Sequence, residues 1–140
     1  YLVLSVLRTS AFSDSQTPLF SDVPRSHAQF RWIEKLAELG LTQGCGGGRY
    51  CPDQLLTRAQ LAAFLARANS RVGAGAQLYP PATPYFHDVP AASPFFGPIQ
   101  KMRQWGVSLG CTDTDFCPNT AATRAQLATM LVRALFTPSE

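Results

Sequence analysis

A gapless internal repeat constrains this chain more than any other feature of its sequence. Shifting the chain by 66 positions lays residues 17–68 over 83–134, and 23 of the 52 aligned residues are identical. Unrelated chains of ordinary composition would share roughly three. The match opens with Thr17-Pro18-Leu19-Phe20-Ser21-Asp22-Val23-Pro24 over Thr83-Pro84-Tyr85-Phe86-His87-Asp88-Val89-Pro90. It passes through Gly44-Cys45 over Gly110-Cys111 and Cys51-Pro52 over Cys117-Pro118. It closes with Thr57-Arg58-Ala59-Gln60-Leu61 over Thr123-Arg124-Ala125-Gln126-Leu127. Self-similarity at this period marks supersecondary units that bury their apolar faces against one another.

The repeat divides the chain into a unit over 17–70, a Pro/Gly/Ala linker over 71–82, a unit over 83–136 and a tail over 137–140. Residues 1–8 fall in phase with Leu61–Ala68, and residues 1–10 read as the closing helix of a preceding repeat, followed by a linker over 11–16. The competing reading of that apolar opening is the remnant of a signal sequence, which leaves the chain either processed or a fragment of something longer.

Within each unit the pattern is helix, turn, loop, helix. Phe30, Ile33, Leu36, Ala37 and Leu39 recur near the helical period, with Ser26 and Gln29 at capping-box spacing and Gly40-Leu41 as a stop. The second copy offers Phe96, Ile99, Met102 and Trp105, then Gly106-Val107. Its start is marked by Ser93-Pro94 and delayed by Pro98. Ahead of the second helix Thr57 and Gln60 form a capping box, with Leu56 and Leu61 at staple positions. Leu61, Phe64, Leu65 and Ala68 then form one apolar face, matched by Leu127, Met130, Leu131 and Ala134–Leu135. The fold class is mostly α, with no long alternating strand.

The four cysteines sit in two equal pairs, each bracketing five residues. Repeat symmetry selects Cys45–Cys51 and Cys111–Cys117 among the three pairings, which implies an oxidising, extracytoplasmic setting. A shared zinc site is the alternative, but spacers of five exceed the usual two to four. No Cys-x-x-Cys-His marks a haem. Asp113, Asp115 and Asn119 lack calcium-loop spacing and have no repeat in the first unit. No cofactor is expected. The net charge of +3 comes without a basic cluster, so nucleic acid is not an expected partner, and no apolar run is long enough to span a bilayer.

Phe-x-Asp-Val-Pro, a helix ending in glycine, and a Thr-Arg-Ala-Gln helix start, each present twice and in order, resemble the S-layer homology family over most of residues 17–135. That family usually has glutamate where Gln60 and Gln126 stand. The resemblance implies tandem helix–loop–helix repeats packed as a pseudo-threefold spindle, and attachment of exported proteins to the bacterial cell envelope through acidic wall polysaccharides. By motif it makes Arg58 and Arg124 candidate anion ligands and Asp22 and Asp88 candidate groove residues. Arginine at the first helical position lies beside unpaired amides and the positive end of the helix dipole, which favours an anion. The plainer reading has the aspartates capping the turn that follows and the arginines exposed or paired with them. Trp32 could stack on a sugar face, whereas Trp105 replaces Leu39 and reads as core.

No arrangement of nucleophile, base or metal ligands emerges. His27 and His87 are out of register, Gly46-Gly47-Gly48 lacks a P-loop lysine, and Glu34 and Glu38 read as a solvated pair on one helix face. The expected function is therefore non-catalytic: an envelope anchor binding an acidic polysaccharide. The alternative is a structural module that packs against itself or other envelope proteins.

Overall fold

The computed structural model describes residues 17–69 and 83–136. The helix expected over residues 1–10, the linkers 11–16 and 71–82 and the tail 137–140 lie outside them, as does the side chain of Leu135. Among the described residues there are four helices, α1 Phe30–Glu38, α2 Arg58–Ala68, α3 Phe96–Gln104 and α4 Arg124–Phe136. The β pairing there amounts to isolated bridges joining Gly46 to Arg49 and Thr57 to Ala121. The mostly helical class follows the sequence pattern.

By contacts the chain divides into two compact units, residues 1–54 and 55–140. The division falls just ahead of Thr57, so α2, which closes the first sequence repeat, belongs to the same unit as α3 and α4.

In the first unit α1 turns Phe30 and Ile33 onto Phe20 and Val23, with Ala37 and Tyr50 against the same cluster. The capping box expected from Ser26 and Gln29 does not form. Ser26 lies inside a turn closed by the His27 amide donating to the Pro24 carbonyl at 2.8 Å, ahead of the helix. Gln29 N–H donates instead to His27 Nδ1 at 3.2 Å, and the helix begins at Phe30 without a side-chain cap. In the second unit Ser93 likewise sits in a turn, and α3 begins at Phe96, two residues after Pro94. Pro98 falls in the first turn, where no intrahelical donor is missed.

Both helices stop as their glycines predict. Gly40 and Gly106 each adopt φ 68°. Leu41 N–H reaches the Leu36 carbonyl and Gly40 N–H the Ala37 carbonyl, at 3.0 and 2.9 Å. Val107 and Gly106 repeat these bonds to Met102 and Arg103 at 2.9 and 3.1 Å. This Schellman closure folds Leu41 and Val107 back into the interior, where both are buried.

The second unit has the larger core, in which α2 packs against both α3 and α4. Leu61 and Leu65 of α2 share it with Phe86, Ile99, Met102 and Phe116. The expected single apolar face on α2 is an understatement, because Ala59, Ala62, Ala63 and Ala66 are buried too. Small side chains let neighbours close in from several sides. Trp105 is partly buried against this core, as expected.

Candidate functional site

The repeat places its chemistry-bearing residues around each cysteine loop. Both loops are closed by the disulfides that symmetry selected, Cys45–Cys51 and Cys111–Cys117, with Cα separations of 6.0 and 5.9 Å. No cysteine is left free, which removes the thiolates a zinc site would need. Inside the rings, Cys45 N–H donates to the Arg49 carbonyl and Cys111 N–H to the Asp115 carbonyl, both at 2.8 Å. The loop tips also hold the segment just before each aspartate. Ser21 N–H donates to the Gly48 carbonyl and His87 N–H to the Thr114 carbonyl, both at 2.9 Å.

Asp22 and Asp88 clamp the far end of these rings. Asp22 accepts from Tyr50 N–H through Oδ1 and from Cys51 N–H through Oδ2, each at 2.8 Å. Asp88 accepts from Phe116 and Cys117 amides at 2.8 and 2.7 Å. The bonded amides lie 28 and 29 residues further along, not in the turn that follows each aspartate. The amide of Tyr50 is the main influence holding the Asp22 carboxyl below its ordinary range, with Cys51 N–H and Arg49 adding to it against some desolvation. Arg49 Nε stands 3.6 Å from Asp22 Oδ2.

A second latch was not legible in the sequence. Glu34, read there as solvated, is buried, and its Oε1 accepts from Leu19 N–H at 3.0 Å. Gln100, its repeat counterpart, is also buried and accepts from Tyr85 N–H at 2.8 Å. A carbonyl-type oxygen on a three-carbon arm suffices for this bond, so glutamate and glutamine exchange here. The signal available was their shared register in the two repeats.

The two Thr-Arg helix starts have the same cap and different surroundings. Thr57 and Gln60 exchange bonds of 2.9 and 3.2 Å, and Thr123 and Gln126 exchange bonds of 3.2 and 3.1 Å. Glutamine therefore fulfils the capping role without the charge of glutamate. Arg58 is only 4% exposed. Its Nε donates to the Phe116 carbonyl at 2.9 Å, and its guanidinium lies 4.8 Å from the Phe116 ring centre. Burial draws its pKa down, and the charge of Asp88 opposes that. Arg124, at the same motif position, is exposed. Trp32 is half-buried on α1. Thus Arg58, Asp88 and Phe116 are brought together in the second unit, and Asp22 stands with Tyr50 and Cys51 in the first.

A tandem helical repeat with disulfide-stapled loops is a module suited to an oxidising, extracytoplasmic setting. The chain carries the S-layer homology domain: residues 19–62 match that family. Its relatives include a middle cell wall protein of Brevibacillus brevis, 34% identical over 103 residues, covering 74% of this chain and 10% of that protein. A surface layer protein of Brevibacillus choshinensis is 34% identical over 108 residues, covering 77% and 10%. An endoglucanase of a Bacillus species is 32% identical over 115 residues, covering 82% and 11%. The chain spans about a tenth of the length of these curated relatives. Family and relatives together place it at the bacterial cell-envelope surface. No described helix is long and apolar enough to cross a membrane.

Proposed function

We propose that the chain is a non-catalytic anchor that holds a larger exported protein to the cell envelope by binding an acidic wall polysaccharide. The observation that carries this reading is the exposure of Arg124 at the start of a 13-residue helix in a chain of this family. There a guanidinium, the amides of Arg124 and Ala125 ahead of the capped Gln126, and the helix dipole converge on an anion, and a carboxylate on a sugar can be gripped in bidentate fashion. Trp32, half-buried, offers a separate surface for a sugar face. Arg58, Asp22 and Asp88 act on this reading by holding the loops in shape. The endoglucanase relative fits the same view: the chain covers 11% of it, a share suited to an attachment segment with catalysis elsewhere.

The test is co-sedimentation of the oxidised protein with purified wall sacculi, before and after their acidic glycans are stripped. Binding that needs the glycan and falls at least tenfold in Arg124→Ala is the expected result. Equal sedimentation of wild type and Arg124→Ala, or none at all, would overturn the reading.

A further inference from the structure

Helices α1 and α3 hold the same place in the two repeats and differ in charge. α1 carries Arg31 and Lys35 with Glu34 and Glu38, two cations against two acids. α3 carries Lys101 and Arg103 and no acid, because Gln100 and Gln104 stand at the positions of Glu34 and Glu38. In α1 Lys35 Nζ donates to Glu38 Oε1 at 2.9 Å, and its counterpart Lys101 has Gln104 where that acid stood. The described acids of the second repeat lie elsewhere. Asp88 is taken up by two amides, and Asp113 and Asp115 belong to the cysteine ring.

The segment held against α3 changes with it. Where the first repeat has Leu19 and Ala37, the second has Tyr85 and Arg103. The guanidinium carbon of Arg103 lies 5.9 Å from the centre of the Tyr85 ring. Gln100, three residues earlier on the same side of α3, is wholly buried and accepts Tyr85 N–H at 2.8 Å. A buried side chain thus fixes the backbone of the tyrosine, and the next turn of the helix brings a cation to its ring. Tyr85 is nevertheless 42% exposed, and Leu19 at the same position is 57% exposed, so outward placement belongs to this point of the repeat.

We propose that Tyr85 and Arg103 form a binding subsite for a carboxylated sugar, made of residues other than Arg124. The apolar face of a pyranose stacks on the tyrosine ring, and a carboxylate on that sugar takes two parallel N–H bonds from the planar guanidinium. Lys101, on the same acid-free helix, attracts neighbouring acidic sugars through the field it adds. The first repeat, with Leu19, Ala37 and a balanced α1, has no such subsite. The inference rests on the acidic-glycan reading and gives it a second place on the chain.

Calorimetric titration of the full, oxidised chain with a galacturonic acid oligosaccharide tests it, beside a neutral galactose oligosaccharide of the same length. A short probe reads each subsite by itself, whereas sacculi read the two together. Arg124→Ala is therefore expected to keep binding the acidic probe, at least tenfold more tightly than the neutral one. Adding Tyr85→Leu or Arg103→Ala, the residues the first repeat carries, should weaken that binding at least tenfold with unchanged circular dichroism, and adding Tyr85→Phe should not. The proposal falls if these substitutions leave the affinity unchanged, or if both probes bind Arg124→Ala equally. It falls too if Arg124→Ala binds neither probe. Wild type binding the acidic probe in that last case would assign all of it to Arg124 and leave the anchor reading standing.

Discussion

Cys51 and Cys117 sit at φ 60° and 58°, a left-handed conformation that costs a residue with a side chain about 1–2 kcal/mol. What holds them there is a carboxylate on each side of the repeat, Asp22 and Asp88, taking the amide of the cysteine and that of the aromatic residue before it. The sequence exposed the identity and register of these aspartates but not their targets, because nothing local links residue 22 to residue 50. Burial was likewise hidden for Arg58, whose fate depends on a carbonyl 58 residues further on. A consequence for pH follows. The folded Asp22 titrates below its ordinary 3.8, so the unfolded chain takes up its proton first as pH falls. Its contribution is complete above about pH 4 and is lost as pH drops through the depressed folded value. Urea midpoints measured across that range should fall for wild type and fall less steeply for Asp22→Asn. Parallel slopes would show that the clamp is not the sensor.

Helix ends and helix sides were unequally legible. The glycine stops, the threonine caps and the cysteine rings are local devices with local signatures, and the structure contains them. The start of α1 departs from the expected capping box because the chain turns after Pro24, whereas at α3 Ser93 Oγ accepts the Phe95 amide at 3.2 Å and the helix begins at Phe96. The many-sided burial of α2 was invisible, since alanine carries little hydrophobic signal and is chosen here for closeness. Gly110 belongs with the legible features in hindsight. A Cβ there would stand 2.5 Å from the Thr112 carbonyl oxygen and 2.6 Å from that of Asp115, so the chain enters the ring only through glycine. The paired helix starts give the clearest contrast at this scale. Arg58→Ala removes a charged hydrogen bond and a ring contact and should cost about 3 kcal/mol of unfolding free energy. Arg124→Ala, losing neither, should stay within about 0.5 kcal/mol of wild type. Chemical denaturation of the two variants decides this, and equal losses would show that the two arginines share one environment.

For the molecule as a whole, the family and the helical class could be read from the repeat itself. The pairing of α2 with the repeat that follows could not, because a sequence repeat shows what recurs and is silent about which copies touch.

The placement of the unit boundary ahead of Thr57 also bears on how such a chain can be cut and recombined. A break inside the linker 71–82 follows the repeat that the sequence displays, yet it would sever α2 from the partners that bury it and strip Phe116 of its arginine. A break between Gln54 and Leu55 interrupts neither core. Duplication and shuffling of such modules would thus preserve more of their packing when the seam runs ahead of the Thr-Arg helix, so that what passes intact between proteins is a helix together with the loop of its successor.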